Sequence, residues 1–181
     1  FTCIDRTLSY SEVNELSDRF AYYLVTQTNL KPGDRIAIQL PNILQFPIAF
    51  YGATRAGLVV VNTNPLYTAQ EMAHQFKDSG VKGILILSNF CDKLEKILPE
   101  TDIETIIVTQ FGDLQKPLKR LFLNIAMKYI RKLVPAFSLS KTIDFHAVIN
   151  KPVPSFSYPE AGEGDDIALI LYTGGTTGFA K

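Results

Sequence analysis

The chain has 181 residues, 46% of them hydrophobic, and its 18 basic and 18 acidic side chains leave a formal net charge of +0 at pH 7. That balance excludes bulk electrostatic attraction to nucleic acid, so no nucleic-acid partner is expected, while the apolar share suffices for one substantial core or a large part of a bigger one. No apolar run approaches the length of about 18 residues that a membrane-spanning helix needs.

Near the start, Ser9-Tyr10-Ser11-Glu12 spells a capping box, and Val13, Leu16, Phe20 and Leu24 then recur at helical spacing to about Thr28. Lys31-Pro32-Gly33-Asp34 reads as a turn, followed by a short apolar strand over residues 35–40 and a break at Pro41-Asn42. A helix is expected over residues 43–56, with Pro47 in its first turn and Gly57 as its stop.

The β-branched run Leu58-Val59-Val60-Val61 suits a parallel strand buried on both faces. Asn62-Thr63-Asn64-Pro65 then leaves the sheet, and a second capping box, Thr68-Ala69-Gln70-Glu71, opens a helix that ends near Ser79-Gly80. A strand over 83–87, a short helix over 92–98 and a strand over 103–109 follow. This alternation predicts an α/β fold: a doubly wound, mostly parallel sheet with helices on both faces.

Residues 116–134 depart from that rhythm. Leu118, Leu121, Phe122, Ile125, Tyr129 and Leu133 follow a 3.6-residue period, while Lys116, Lys119, Arg120, Lys128, Arg131 and Lys132 supply positive charge with no acid between them. Two readings stand. A basic amphipathic helix can lie on an anionic membrane surface, with Lys119, Arg120, Lys128, Arg131 and Lys132 as candidate contacts; or its apolar stripe packs on the sheet and its lysines are solvated. Residues 135–144 read as a loop, 145–149 are too short to assign, and 152–166 form an exposed connection rich in proline, glycine and acid. Its carboxylates Glu160, Glu163, Asp165 and Asp166 have no calcium-loop spacing and are expected to be solvated charge. Cys3 and Cys91 form no C-x-x-C pair, which indicates neither zinc nor a disulfide framework and fits a reducing compartment. His74 and His146 are equally isolated and are expected to be surface or helix-packing residues.

The chemistry concentrates at the end of the chain. An apolar strand over 167–172 runs into Thr173-Gly174-Gly175-Thr176-Thr177-Gly178-Phe179-Ala180-Lys181. Glycines let an anion approach backbone N–H groups, threonine hydroxyls add neutral donors, and a lysine adds a mobile cation. The spelling is not a Walker A loop, because Phe179 and Ala180 stand where that pattern needs its second glycine; Gly162-Glu163-Gly164 fails the dinucleotide fingerprint, because Ile167 takes the place of its last glycine.

The residues from Thr173 to Gly178, with Ala180 and Lys181, resemble position by position the AMP-binding signature of the adenylate-forming enzymes. Leu8-Ser9-Tyr10-Ser11-Glu12-Val13 and Arg55-Ala56-Gly57-Leu58-Val59-Val60-Val61-Asn62, with Pro65 beyond, look like two further motifs of that family, in family order. Within it, Asn64-Pro65-Leu66-Tyr67-Thr68 with Glu71, His74-Gln75 and Asp78-Ser79-Gly80 look most like the bacterial long-chain fatty acid CoA ligases.

The resemblance implies activation of a fatty acid by ATP to an acyl-adenylate, then transfer to coenzyme A, with Mg²⁺ assisting. It assigns Thr173, Gly174, Gly175, Thr176, Thr177, Gly178 and Lys181 to the β- and γ-phosphates of ATP, and no catalytic residue to this stretch. The expected domain organisation is one partial N-terminal AMP-binding domain over residues 1–181, inactive by itself, from a cytoplasmic enzyme peripheral to the inner face of the membrane. A non-catalytic α/β module whose loop holds an anion, and another acyl- or aryl-CoA ligase of the same superfamily, are the alternatives.

Overall fold

The computed structural model describes residues 1–154, 156–159 and 165–173. The chain opens with a small antiparallel pair, β1 (Thr2–Cys3) and β2 (Arg6–Thr7), which is too short to leave an alternation signal in the sequence. Helix α1 (Tyr10–Gln27) starts at the expected box: the Glu12 N–H donates to Ser9 Oγ over 3.1 Å and the Ser9 N–H to Glu12 Oε2 over 2.8 Å. Strand β3 (Arg35–Gln39), helix α2 (Gln45–Arg55), β4 (Val59–Asn62), α3 (Ala69–Ser79), β5 (Val81–Leu87), α4 (Cys91–Ile97) and β6 (Thr105–Thr109) follow in the predicted alternation. Pro47 lies in the first turn of α2, where no intrahelical donor is required of it. Gly80 ends α3 at φ 60°, a left-handed conformation that a β-carbon disfavours.

Helix α5 (Pro117–Ile125), β7 (Thr142–Asp144), α6 (Phe145–Ile149) and β8 (Leu169–Leu171) complete the described elements. The main sheet has six strands in the order β7-β6-β5-β3-β4-β8, every neighbouring pair parallel. Successive side chains along a strand point to opposite faces. Ile36, Ile38, Val60, Leu85 and Ile107 therefore pack on one side with α1, α2 and α6, while Ala37, Val61, Ile84, Ile86 and Ile106 pack on the other with α3 and α4. A sheet covered on both faces explains why its strands are unbroken apolar runs.

Gly52 permits the contact between α1 and α2. A β-carbon there would stand 2.8 Å from Phe20 Cδ1 and 2.9 Å from the Ser17 carbonyl oxygen. Arg55 closes the same contact, donating to the Asn14 carbonyl over 2.9 Å and pairing with Asp18 at 2.6 Å.

Three sequence expectations need correction. Residues 135–144 are not all loop: Thr142–Asp144 pairs in parallel with β6, Ile106 opposite Thr142. Ile143 is the one apolar residue in that strand, so no pattern announced it. The helix expected over 116–134 is α-helical only over Pro117–Ile125 and then widens into a π turn at Ala126–Ile130, where the Arg131 N–H reaches the Ala126 carbonyl over 2.8 Å. Its apolar stripe does not pack on the sheet, since no residue of α5 is buried. The final strand is shorter than residues 167–172, spanning Leu169–Leu171 at the sheet edge beside β4.

Candidate functional site

In this sheet the connection after β3 leads to α2 on one face and the connection after β4 leads to α3 on the other. Neighbouring parallel strands whose connections diverge open a crevice outside their carboxyl ends, which is where ligands bind in open α/β sheets. A cleft of about 530 Å³ lies there, walled by Leu40, Pro41 and Asn42 after β3, by Asn62, Thr63, Asn64, Pro65 and Tyr67 after β4, and by Leu171 and Tyr172 of the last strand.

Two buried glutamines shape the β4 wall. Gln39, 0% exposed at the end of β3, donates from Nε2 to the Asn64 carbonyl over 3.5 Å, and Gln75 of α3 donates to the Asn62 carbonyl over 3.2 Å. The Asn64 side chain accepts from the Leu66 N–H at 2.9 Å, tightening the turn, and Lys93 Nζ donates to the Tyr67 carbonyl over 2.6 Å. The loop is thereby pinned from β3, α3 and α4, and its amide and hydroxyl groups stand at fixed places along the cleft.

The start of α3 is not left open to an anion. Its capping box is closed: the Glu71 N–H donates to Thr68 Oγ1 over 3.3 Å, and the Thr68 N–H donates to Glu71 Oε2 over 2.7 Å. That backbone amide, with the Thr68 hydroxyl, holds the Glu71 carboxyl below its usual range.

Register brings the last strand into the site. Leu171 pairs with Asn62, so the following residues, Tyr172 and Thr173, leave the sheet beside the β4 loop. The Tyr172 hydroxyl donates to the Asp78 carboxylate of α3. Partial burial, then that bond, pushes the phenol up to about 12. Thr173, one residue beyond the cleft-lining Tyr172, is exposed. The other residues expected to touch phosphate, Gly174, Gly175, Thr176, Thr177, Gly178 and Lys181, lie outside the described residues, as do Glu160 and Glu163.

Among the described residues of the lining, tyrosine is the only ionisable type, and none is a serine, cysteine, histidine or carboxylate. Such a wall can orient and desolvate a ligand but supplies no nucleophile or general base at neutral pH. Among the described residues no group of three or more His, Cys, Asp or Glu could hold a metal ion. The described lining therefore does not fit Mg²⁺ as a directly held ion. Cys91 is buried and its thiol is pushed up to about 12, by burial first and by Asp92 next, while Cys3 stands apart from it as a second unbridged thiol. His74 is exposed on α3 and His146 partly buried on α6.

Sequence reading does not single out the β4 wall of the cleft. Asn62, Thr63 and Asn64 looked like a strand exit and Gln39 and Gln75 like ordinary members of their elements. The available signal was chemical: a glutamine inside an otherwise apolar strand, and a run of amides and hydroxyls immediately after a buried one.

The profile of the AMP-binding enzyme family matches residues 1–181. The long-chain-fatty-acid–CoA ligase of Salmonella typhimurium is 41% identical over 182 residues, which cover 100% of this chain and 32% of that protein. The chain thus spans about a third of the length of the curated relatives it matches. A crystal structure of the anthranilate CoA ligase AuaEII in complex with anthranoyl-AMP superposes with a TM-score of 0.74 at 15% identity, covering 97% of this chain and 29% of that one. A long-chain-fatty-acid-CoA ligase from Archaeoglobus fulgidus gives 0.70 at 19% identity, covering 98% of this chain and 30% of that one. Those two likenesses show the fold.

Proposed function

The chain belongs to the AMP-binding enzyme family, and from that premise we propose that its cleft and the glycine-rich loop beyond Thr173 hold the polyphosphate of ATP in a ligase that activates long-chain fatty acids. The observation that carries this reading is the path of the last strand, which brings Leu171 and Tyr172 into the wall of a cleft at the carboxyl ends of β3 and β4, one residue before Thr173. The S. typhimurium relative supports the substrate class. Thr173, Thr176 and Thr177 offer hydroxyls, Gly174, Gly175 and Gly178 a backbone that an anion can approach, and Lys181 a positive charge.

In this reading a fatty carboxylate oxygen attacks the α-phosphorus of ATP, the bond to the bridging oxygen breaks, and pyrophosphate leaves with its charge held by the loop. The coenzyme A thiol then attacks the acyl carbon and AMP departs. Neither step asks the enzyme for a nucleophile, which agrees with a lining of amides, hydroxyls and apolar groups.

We place residues 1–181 in one partial AMP-binding domain whose activity needs further segments. In this reading the enzyme works on the cytoplasmic side, peripheral to the inner face of a membrane in which its substrate dissolves; the unbridged Cys3 and Cys91 support a reducing compartment. ATP–pyrophosphate exchange by the longer protein carrying this chain, across acids from acetate to oleate, tests the reading. Exchange should rise with chain length and collapse in Thr176→Ala; no exchange with any acid would refute it, leaving an anion-binding module.

A further inference from the structure

Residues 116–133 form an exposed apolar face that the rest of the described chain leaves uncovered. Leu118 is 85% exposed, Leu121 60% and Phe122 66%, and Ile125 and Tyr129 continue the stripe. The helix is nonetheless firmly placed. Arg120 Nε donates to the buried Asp113 at 3.2 Å, the Gly112 N–H donates to Asn124 Oδ1 at 2.9 Å, and beyond the π turn Asn89 Nδ2 donates to the Leu133 carbonyl at 2.9 Å. Polar bonds at both ends thus hold out a helix that buries none of its own apolar side chains. A contiguous apolar surface on that scale marks an interaction site.

Its charges say what covers it. Residues 114–143 contain no aspartate or glutamate. Lys119 pairs with the exposed Asp5 at the surface and Arg120 with the buried Asp113. Among the described residues Lys116, Lys128, Arg131 and Lys132 form no ion pair, and Lys128 lies 5.5 Å from the Tyr129 ring centroid. A second copy of the chain fits poorly, because a two-fold contact across this face would set those cations against their own copies. A surface both apolar in depth and negative at its rim fits well, as an anionic bilayer is.

We propose that residues 116–133 are a docking surface for an anionic lipid bilayer, with Leu118, Leu121 and Phe122 entering the acyl boundary and Lys128, Arg131 and Lys132 meeting the headgroups. The proposal rests on the ligase reading only for the benefit of sitting where a fatty acid dissolves; the binding itself requires no nucleotide. Of the candidate contacts named from the sequence, Arg120 is engaged by the buried Asp113 and Lys119 by the exposed Asp5.

Cosedimentation of the longer protein carrying this chain with phosphatidylcholine vesicles, with and without phosphatidylglycerol and at low and high salt, tests it without ATP. Binding should require phosphatidylglycerol and weaken with salt. Charge reversal by Lys128→Glu, Arg131→Glu and Lys132→Glu together should lower partition by roughly a hundredfold, and Leu118→Ser with Phe122→Ser should lower it at least about tenfold. Each substitution lies at an exposed position, so thermal melting should be unchanged. Equal binding to neutral vesicles, salt-independent binding, an unaffected charge-reversed variant, or a dimer that shields Leu121 from labelling would each overturn the proposal. Loss of pyrophosphate exchange with vesicle binding intact would instead count against the ligase reading alone.

Discussion

The Tyr172 hydroxyl donates to the Asp78 carboxylate across a sequence separation of 94 residues, tying the exit of the last strand to the end of α3. The stretch that resembles the family signature therefore follows in sequence directly on a residue tied to α3.

That bond has a signature in alkali. The Tyr172 and Tyr158 phenols are both pushed up to about 12 from an ordinary 10.0, by burial first and then by the carboxylates of Asp78 and Asp18. Below pH 10 folded and unfolded chains both hold these protons. Between about 10 and about 12 the unfolded chain releases them first, so stability is lost as pH rises through that window. Ultraviolet titration of phenolate should show a late-ionising fraction that shrinks in Tyr172→Phe, and Tyr172→Phe should unfold less steeply with alkali.

Gly52→Ala should destabilise the protein by about 1–3 kcal/mol, the usual cost of forcing an extra carbon into a packed contact. One of its two close neighbours is the Ser17 backbone, which cannot swing aside as a side chain end could. Urea unfolding midpoints of the variant and the parent measure the difference.

Gln75→Met keeps volume while removing the donor to the Asn62 carbonyl. An unpaired buried carbonyl costs about 1–3 kcal/mol, offset in part because Gln75 Oε1 itself has no partner among the described residues. A net loss on the order of 1 kcal/mol is expected, with faster hydrogen exchange in residues 62–67; unchanged exchange there would show that the glutamine does not hold the cleft wall.

Asp113 is 2% exposed and accepts from Thr109 Oγ1, the Gln110 N–H, Arg120 Nε and Asn124 Nδ2. Asp113→Ala should cost about 2–3 kcal/mol by stranding those donors. Hydrogen exchange should quicken over residues 117–130 while β3 and β5 stay protected, because α5 hangs on this network and the sheet does not.

Sequence alone determined the elements whose signals are local. The capping boxes of Ser9 with Glu12 and Thr68 with Glu71, the apolar strands and the glycine stop after α3 all act within a few residues, so periodicity and cap chemistry locate them to within about two positions. The resemblance of residues 173–181 to the family signature was legible for the same reason, its residues lying close together in sequence. Tertiary structure decided everything that depends on distant partners. It made Thr142–Asp144 a strand only because β6 lies alongside, and it turned Gln39 and Gln75 into supports of the β4 loop by burying them beneath it. It also paired Lys119 with Asp5 and Arg120 with the buried Asp113, while Lys128, Arg131 and Lys132 form no ion pair among the described residues. A helical period specifies that a face exists; which surface meets it is a property of the packed molecule.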